Sequence, residues 1–347
     1  MESRAFICGL EGTALSPDER DFISCYRPWG LILFARNIDF PDQVRDLCDG
    51  FRKCLEDPDA PVFVDQEGGR VQRIRPPHVR AYPPAAVYGA LYRRDVVAGV
   101  EAARLGAKLI GLDLVGMGIT GDCLPLLDIP LDESDPVIGD RAYGRDVETV
   151  ATLGTAAIGG LESVGVMPVM KHLPGHGRAR VDSHKALPVV DCDLETLDQT
   201  DFVPFRLNAP RVPLAMTAHI VFSAVDEANP ATLSAEVIDK VIRGRIGYSG
   251  ALMTDDISMG ALSGSLAERT GRAIEAGCDL VLHCNGVLDE MIEVAESSAV
   301  LAGEALIRTE GALAWRENAS GETSAVDRDA LSARLDTLIG EAEVAHA

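Results

Sequence analysis

The chain is punctuated by eight short apolar runs, each closed by turn formers. They are AFICGL (5–10), GLILFA (30–35), PVFVD (61–65), GITGDCLPLLDI (118–129), VMPVMKH (166–172), PLAMTAHI (213–220), GALMTDD (250–256) and DLVLHCN (279–285). The runs are continuous rather than alternating, which suits parallel strands covered on both faces. Between them lie longer stretches with helical spacing of apolar positions, such as DVVAGVEAARLGAKLIG (95–111) and VETVATLGTAAIGGLESVG (147–165). The second closes on Gly165, a frequent helix-ending residue. Eight strand–helix alternations without a break in composition predict an α/β fold, a single (β/α)8 TIM barrel spanning 1–347. Residues 310–347 read as a C-terminal turn and packing helix of that same domain. A doubly wound sheet is the competing fold. It calls for a G-x-G-x-x-G turn after the first strand, and GLEGTALSP (9–17) supplies none.

The ends of the runs are unlike their bodies. The third leads into DQEGGRVQR, the fifth into KHLPGHG, the sixth into TAHI and the seventh into TDD. In a parallel barrel the C-terminal strand ends share one mouth, where barrel enzymes carry their chemistry. Ionisable residues therefore collect where a substrate would enter.

Composition narrows the partners. Acids outnumber bases, 54 to 32, for a formal charge of −22. Such a surface repels nucleic acid and anionic lipid, so neither is expected as a partner. MESRAFICGLEGTALSPDER opens without a basic region or a long apolar core, and no segment approaches the ~18 apolar residues of a membrane span. Eight scattered cysteines, with no C-x-x-C pair, read as reduced packing residues. The expectation is a cytoplasmic, monomeric protein acting on a small molecule.

One stretch concentrates chemistry: KHLPGHGRARVDSH, residues 171–184. His172 and His176 have the i, i+4 spacing of a helical zinc motif, but Pro174 and Gly175 lie between them and Leu173 stands where that motif carries glutamate. No helix is expected there, and no metal or other cofactor is predicted. A phosphate-gripping G-x-x-x-x-G-K-[ST] loop is also absent. In DSH, Asp182 and His184 are two apart, so a short turn lets the carboxylate accept a hydrogen bond from the imidazole. That fixes the tautomer and leaves the other nitrogen to handle a proton. The motif by itself leaves open a solvated loop with an incidental histidine.

KHLPGHGRARVDSH resembles the K-H-[FI]-P-G-H-G-x(4)-D-S-H signature of family 3 glycoside hydrolases, in their bacterial β-N-acetylglucosaminidase branch. Other blocks resemble the same branch in order, from GLILFARNI (30–38), VDQEGGRVQRI (64–74) and PLLDIP (125–130) to MTDDISMGAL (253–262). Departures are mild: Leu173 for Phe or Ile, Tyr143 for Phe, Val147 where proline often stands. The resemblance implies a (β/α)8 catalytic barrel, with Asp255 as nucleophile, His184 as acid/base and Asp182 orienting it. Asp256 is set aside, because the adjacent side chain on a strand end points the other way. The resemblance also implies sugar binding by Asp65, Arg73, Arg141, Lys171 and His172. Glu67, Gly68 and Gly69 read as turn structure behind that set, His176 as shaping the loop, and His219 as pocket floor or packing.

The function so implied is retaining release of terminal β-linked N-acetylglucosamine from muropeptide fragments carrying 1,6-anhydro-N-acetylmuramic acid, through a glycosyl-aspartate intermediate. A β-glucosidase of the same family, a phosphorylase transferring the sugar to phosphate, and a catalytically silent sugar-binding barrel are the rivals.

Overall fold

The fold is taken from a computed structural model and is described for residues 2–319 and 326–344. The eight predicted runs supply the eight strands of one closed, parallel barrel. In chain order these are β1 (Arg4–Cys8), β2 (Pro28–Leu33), β3 (Val62–Val64), β4 (Gly121–Asp122), β5 (Met167–Leu173), β6 (Leu214–Thr217), β7 (Ala251–Asp256) and β8 (Leu280–His283). Each pairs with the next, and β8 closes on β1 with Phe6 opposite Val281 and Cys8 opposite His283.

Side-chain alternation along each strand divides two cores. Ile7, Ile32, Phe63, Val169 and Leu282 fill the barrel, whereas Phe6, Leu31, Val62, Met170 and Val281 face the surrounding helices. The runs are apolar throughout because both faces are covered. The predicted helices form at Val96–Gly116 and Val147–Glu162, capped by Asp95 and Asp146, whose carboxylates accept the N–H groups of Ala98 and Thr149.

The fourth run departs from expectation. Its strand ends at Asp122, and the proline at 125 has no N–H to continue a ladder. The chain then runs beside β5: Leu127 N–H donates to Lys171 O at 2.8 Å and Lys171 N–H to Pro125 O at 3.1 Å. This detour carries Asp128 against His172.

Helix Gly303–Ala319 crosses the N-terminal mouth. Arg308 reaches Asp279 (3.0 Å) before β8, Arg316 reaches Asp59 (2.8 Å) before β3, and Leu301 N–H donates to Ser3 O (2.9 Å). Residues 310–319 thus continue a helix instead of starting a turn. The core of the expected turn, 320–325, lies outside the described residues. Helix Arg328–Val344 packs Leu335 and Leu338 into the outer core and pairs Arg334 with Glu101. Among the described residues no helix is long and apolar enough to cross a membrane. The eight cysteines are unpaired; Cys8, Cys48, Cys123 and Cys278 are buried and Cys25 is exposed.

Candidate active site

With one mouth covered, the C-terminal strand ends enclose a cavity of about 430 Å³. It is lined by Asp65, Arg73, Arg141, Lys171, His172, His184 and Asp255, seven of the eight residues singled out from sequence. Asp182 stands behind His184.

The floor is a chain of alternating charges. Lys171 Nζ lies 2.8 Å from Asp65 Oδ1 and 2.6 Å from Glu67 Oε1. Arg73 holds Asp65 Oδ2 at 2.9 Å, and Arg141 grips both oxygens of Glu67, at 2.8 and 2.9 Å. The Glu67–Arg141 contact is a two-pronged, charge-assisted pair inside the protein rather than a surface bridge. Burial works to raise both carboxyls, but Lys171 with Arg73 or Arg141 outweighs it. Asp65 is held far below the carboxylate range and Glu67 at about 2. Lys171 and Arg141 are pushed up by the same carboxylates, against burial. All four are ionised at neutral pH.

Glu67 is therefore more than turn structure, while the glycines after it do serve the turn. Gly68 takes φ 98°, and a Cβ there would overlap the carbonyl oxygen of Pro83.

At the end of β5 the imidazole of His172 meets Asp128, Nδ1 to Oδ2 at 2.7 Å, and the N–H of His176 donates to Asp128 Oδ1 at 2.6 Å. The Lys171–His172 and Leu173–Pro174 peptides are cis. Asp128 was not singled out from sequence. Its signal was an aspartate inside the apolar stretch PLLDIP, since a carboxylate is seldom buried without a partner.

On β7 the two aspartates part. Asp256 accepts from Ser258 Oγ (2.7 Å), Ser258 N (3.1 Å) and Cys284 N (3.2 Å). Asp255 accepts from the N–H of Asp256 at 2.8 Å, and both aspartates border the cavity, so Asp256 does not turn away from it as expected but is occupied by its own donors. Burial works to raise its carboxyl, yet His172, His219 and that N–H prevail, so it sits below the ordinary value and is ionised. His219 is fully buried beneath, bonded to Thr232 Oγ1 (2.7 Å) and Asp256 O (2.9 Å). It packs under the site and does not line the cavity.

On the loop after β5, Asp182 Oδ1 accepts from His184 N (2.9 Å) and meets His184 Nδ1 at 2.8 Å. Partial burial raises the Asp182 carboxyl, but both hydrogen bonds overcome it and hold it low. An ionised Asp182 fixes the proton on Nδ1 and leaves Nε2 for the cavity. No cluster of three or more His, Cys, Asp or Glu able to hold a metal occurs among the described residues.

This geometry suits acid–base chemistry, and comparison with known sequences shows the family. The chain belongs to glycosyl hydrolase family 3, whose N-terminal domain matches residues 10–308. It is a glycoside hydrolase acting on a sugar substrate.

More particular relatives follow. A β-hexosaminidase of Alkalilimnicola ehrlichii is 41% identical over 280 residues, covering 80% of this chain and 79% of the relative. Another, of Methylococcus capsulatus, is 36% identical over 329 residues and 93% of each chain. Among solved structures, NagZ from Neisseria gonorrhoeae in complex with N-trifluoroacetyl-D-glucosamine superposes with TM-score 0.87 at 28% identity, covering 98% of this chain and 99% of that one. A family 3 β-N-acetylglucosaminidase from Paenibacillus superposes with TM-score 0.84 at 33% identity, over 96% of this chain and 66% of that one.

Proposed function

We propose that this enzyme is a retaining exo-β-N-acetylglucosaminidase, and that its substrates are cytoplasmic muropeptide fragments carrying N-acetylglucosamine on 1,6-anhydro-N-acetylmuramic acid. The observation that carries the reading is the shared cavity. An ionised Asp255 without side-chain partners among the described residues and a carboxylate-oriented His184 border the same space.

In the reaction so proposed, Asp255 attacks the anomeric carbon as the bond to the leaving oxygen breaks, and His184 Nε2–H protonates that oxygen. Water then enters; His184 takes its proton, the hydroxide oxygen bonds to the anomeric carbon, and Asp255 is released. A positioned imidazole can both give and take a proton, which suits it to both transfers.

Asp65, Arg73, Arg141, Lys171 and His172 hold the sugar's hydroxyls. Their ion pairs with one another and with Glu67 and Asp128 keep them in place before substrate arrives, so little is lost in ordering them. The named relatives, β-hexosaminidases and β-N-acetylglucosaminidases, support the choice of sugar.

A panel of aryl glycosides of N-acetylglucosamine, N-acetylgalactosamine and glucose, run with and without phosphate, tests the reading. Dominant glucosidase activity would overturn the sugar assignment. A glycosyl phosphate product would make the enzyme a phosphorylase, and no turnover would leave a binding barrel.

A further inference from the structure

The proposed mechanism makes no use of His176, a buried imidazole at the edge of the cavity. Its backbone N–H is fixed by Asp128, and its ring lies edge-on to His172 with centroids 5.5 Å apart. Its Nε2 is 3.0 Å from the hydroxyl of Ser183, the residue between Asp182 and His184.

Ser183 is anomalous in its loop. Residues 184–187 on one side and 180–181 on the other are exposed, and the His184 side chain is 64% exposed, yet Ser183 is 3% exposed. The neighbouring N–H groups of His184, Lys185 and Ala186 turn back onto Asp182, so they shape the loop without attaching it to the barrel. The Ser183 hydroxyl reaches out of the loop to a side chain anchored at the end of β5. Burial, helped by His172, holds the His176 imidazole down to about 4, so it is neutral at neutral pH and has one N–H to place. Nδ1 is buried and has no partner among the described residues. An orphaned donor is rarer than an orphaned acceptor, so the proton belongs on Nε2, donating to Ser183 Oγ.

We infer that His176, acting through Ser183, is a positioning residue that holds His184 within reach of the leaving oxygen. Asp128 thereby fixes two things at once, His172 on the sugar side and His176 on the acid side. The inference rests on the reading of His184 as the acid/base.

The test compares kcat/KM on two substrates: a β-linked N-acetylglucosaminyl disaccharide, whose alkoxide leaves poorly without a proton, and a dinitrophenyl N-acetylglucosaminide, which leaves unaided. Ser183→Ala and His176→Phe should each lower the disaccharide rate about 2- to 10-fold, the scale of one lost hydrogen bond, and change the aryl rate less than about twofold. The double variant should be no slower than the slower single one, since both remove the same contact. His176→Gln, which keeps an N–H near the position of Nε2, should recover most of the loss.

His184→Ala is run beside them. If it discriminates between the substrates while Ser183→Ala slows both equally or neither, the positioning role is overturned and the acid/base reading stands. If His184→Ala itself fails to discriminate, the acid/base reading falls and the inference with it. Additive losses in the double variant would also overturn the positioning role.

Discussion

Asp255 and Asp256 are neighbours at the end of β7, yet their carboxylates have opposite surroundings. Both border the cavity, but Asp256 accepts from Ser258 and Cys284, whereas Asp255 has the Asp256 N–H as its hydrogen-bond donor. Two half-buried residues of one chemistry are thereby distinguished by their hydrogen-bond partners, one held by side-chain and backbone donors and one left with a single backbone N–H.

Asp255→Ala should lower turnover on the order of 10⁴-fold or more for every leaving group, the scale seen when a covalent nucleophile is deleted. A 2-fluoro sugar with a good leaving group should label Asp255 in the native enzyme. Mass spectrometry locating the label on Asp256 would show that Asp256, not Asp255, is the nucleophile.

His184→Ala should cost about 10²–10⁴-fold in kcat/KM on a disaccharide and far less on a dinitrophenyl glycoside. Asp182→Asn should move the ratio the same way but less, because the ring keeps a partner at 2.8 Å and loses only its charge. A common factor for both substrates in His184→Ala would mean a binding or structural histidine.

Acid should destabilise the fold through the charged floor. Glu67 titrates at about 2 in the folded protein against an ordinary 4.5, so between those values the unfolded chain binds more protons. Stability from this group is complete above about pH 4.5 and is lost as pH falls toward 2, up to roughly 3 kcal/mol. His176, at about 4 against 6.5, acts in the same direction over the window above. Urea midpoints should therefore fall steadily from pH 6.5 to 3, and Glu67→Gln with His176→Gln should flatten that slope. An unchanged slope would mean that these groups are not shifted as described.

Lys171→Met should be more severe than its surface counterparts. It leaves Asp65 and Glu67 sharing a buried site with two arginines, and removing one member of a buried pair costs about 3–5 kcal/mol. Chemical denaturation measures this directly. A loss below about 1 kcal/mol would show that water reaches the floor freely.

The barrel was legible because covered parallel strands must be apolar on both faces, as AFICGL and GLILFA are. The fourth run was less so: Pro125 ends its ladder after two residues, and a residue-by-residue apolar count cannot register a missing N–H. Of the seven cavity-lining residues, Asp65, Lys171, His172 and Asp255 stand at or just beyond strand ends, but the roles of all seven came from the resemblance to family 3 glycoside hydrolases, since Arg73, Arg141 and His184 lie on loops with no positional signal of their own. Glu67 was read as turn support because its partners, Arg141 and Lys171, lie far along the chain, and no local pattern announces them. Asp128 was hidden in the same way, its two histidines arriving from the next strand. Ser183 was a middle letter of DSH until burial distinguished it from its neighbours.

The linked charges of Arg73, Asp65, Lys171, Glu67 and Arg141 also restrict how this site can change over generations. The loops after β3 and β4 and the end of β5 contribute, and each residue answers for the charge of another. A single neutralising substitution strands a buried ion, so drift at these positions must pass through a poorly folded intermediate or change two codons together. The exposed part of the loop around His184 carries no such coupling. Changes can therefore accumulate there one step at a time, while the charged floor below stays the same.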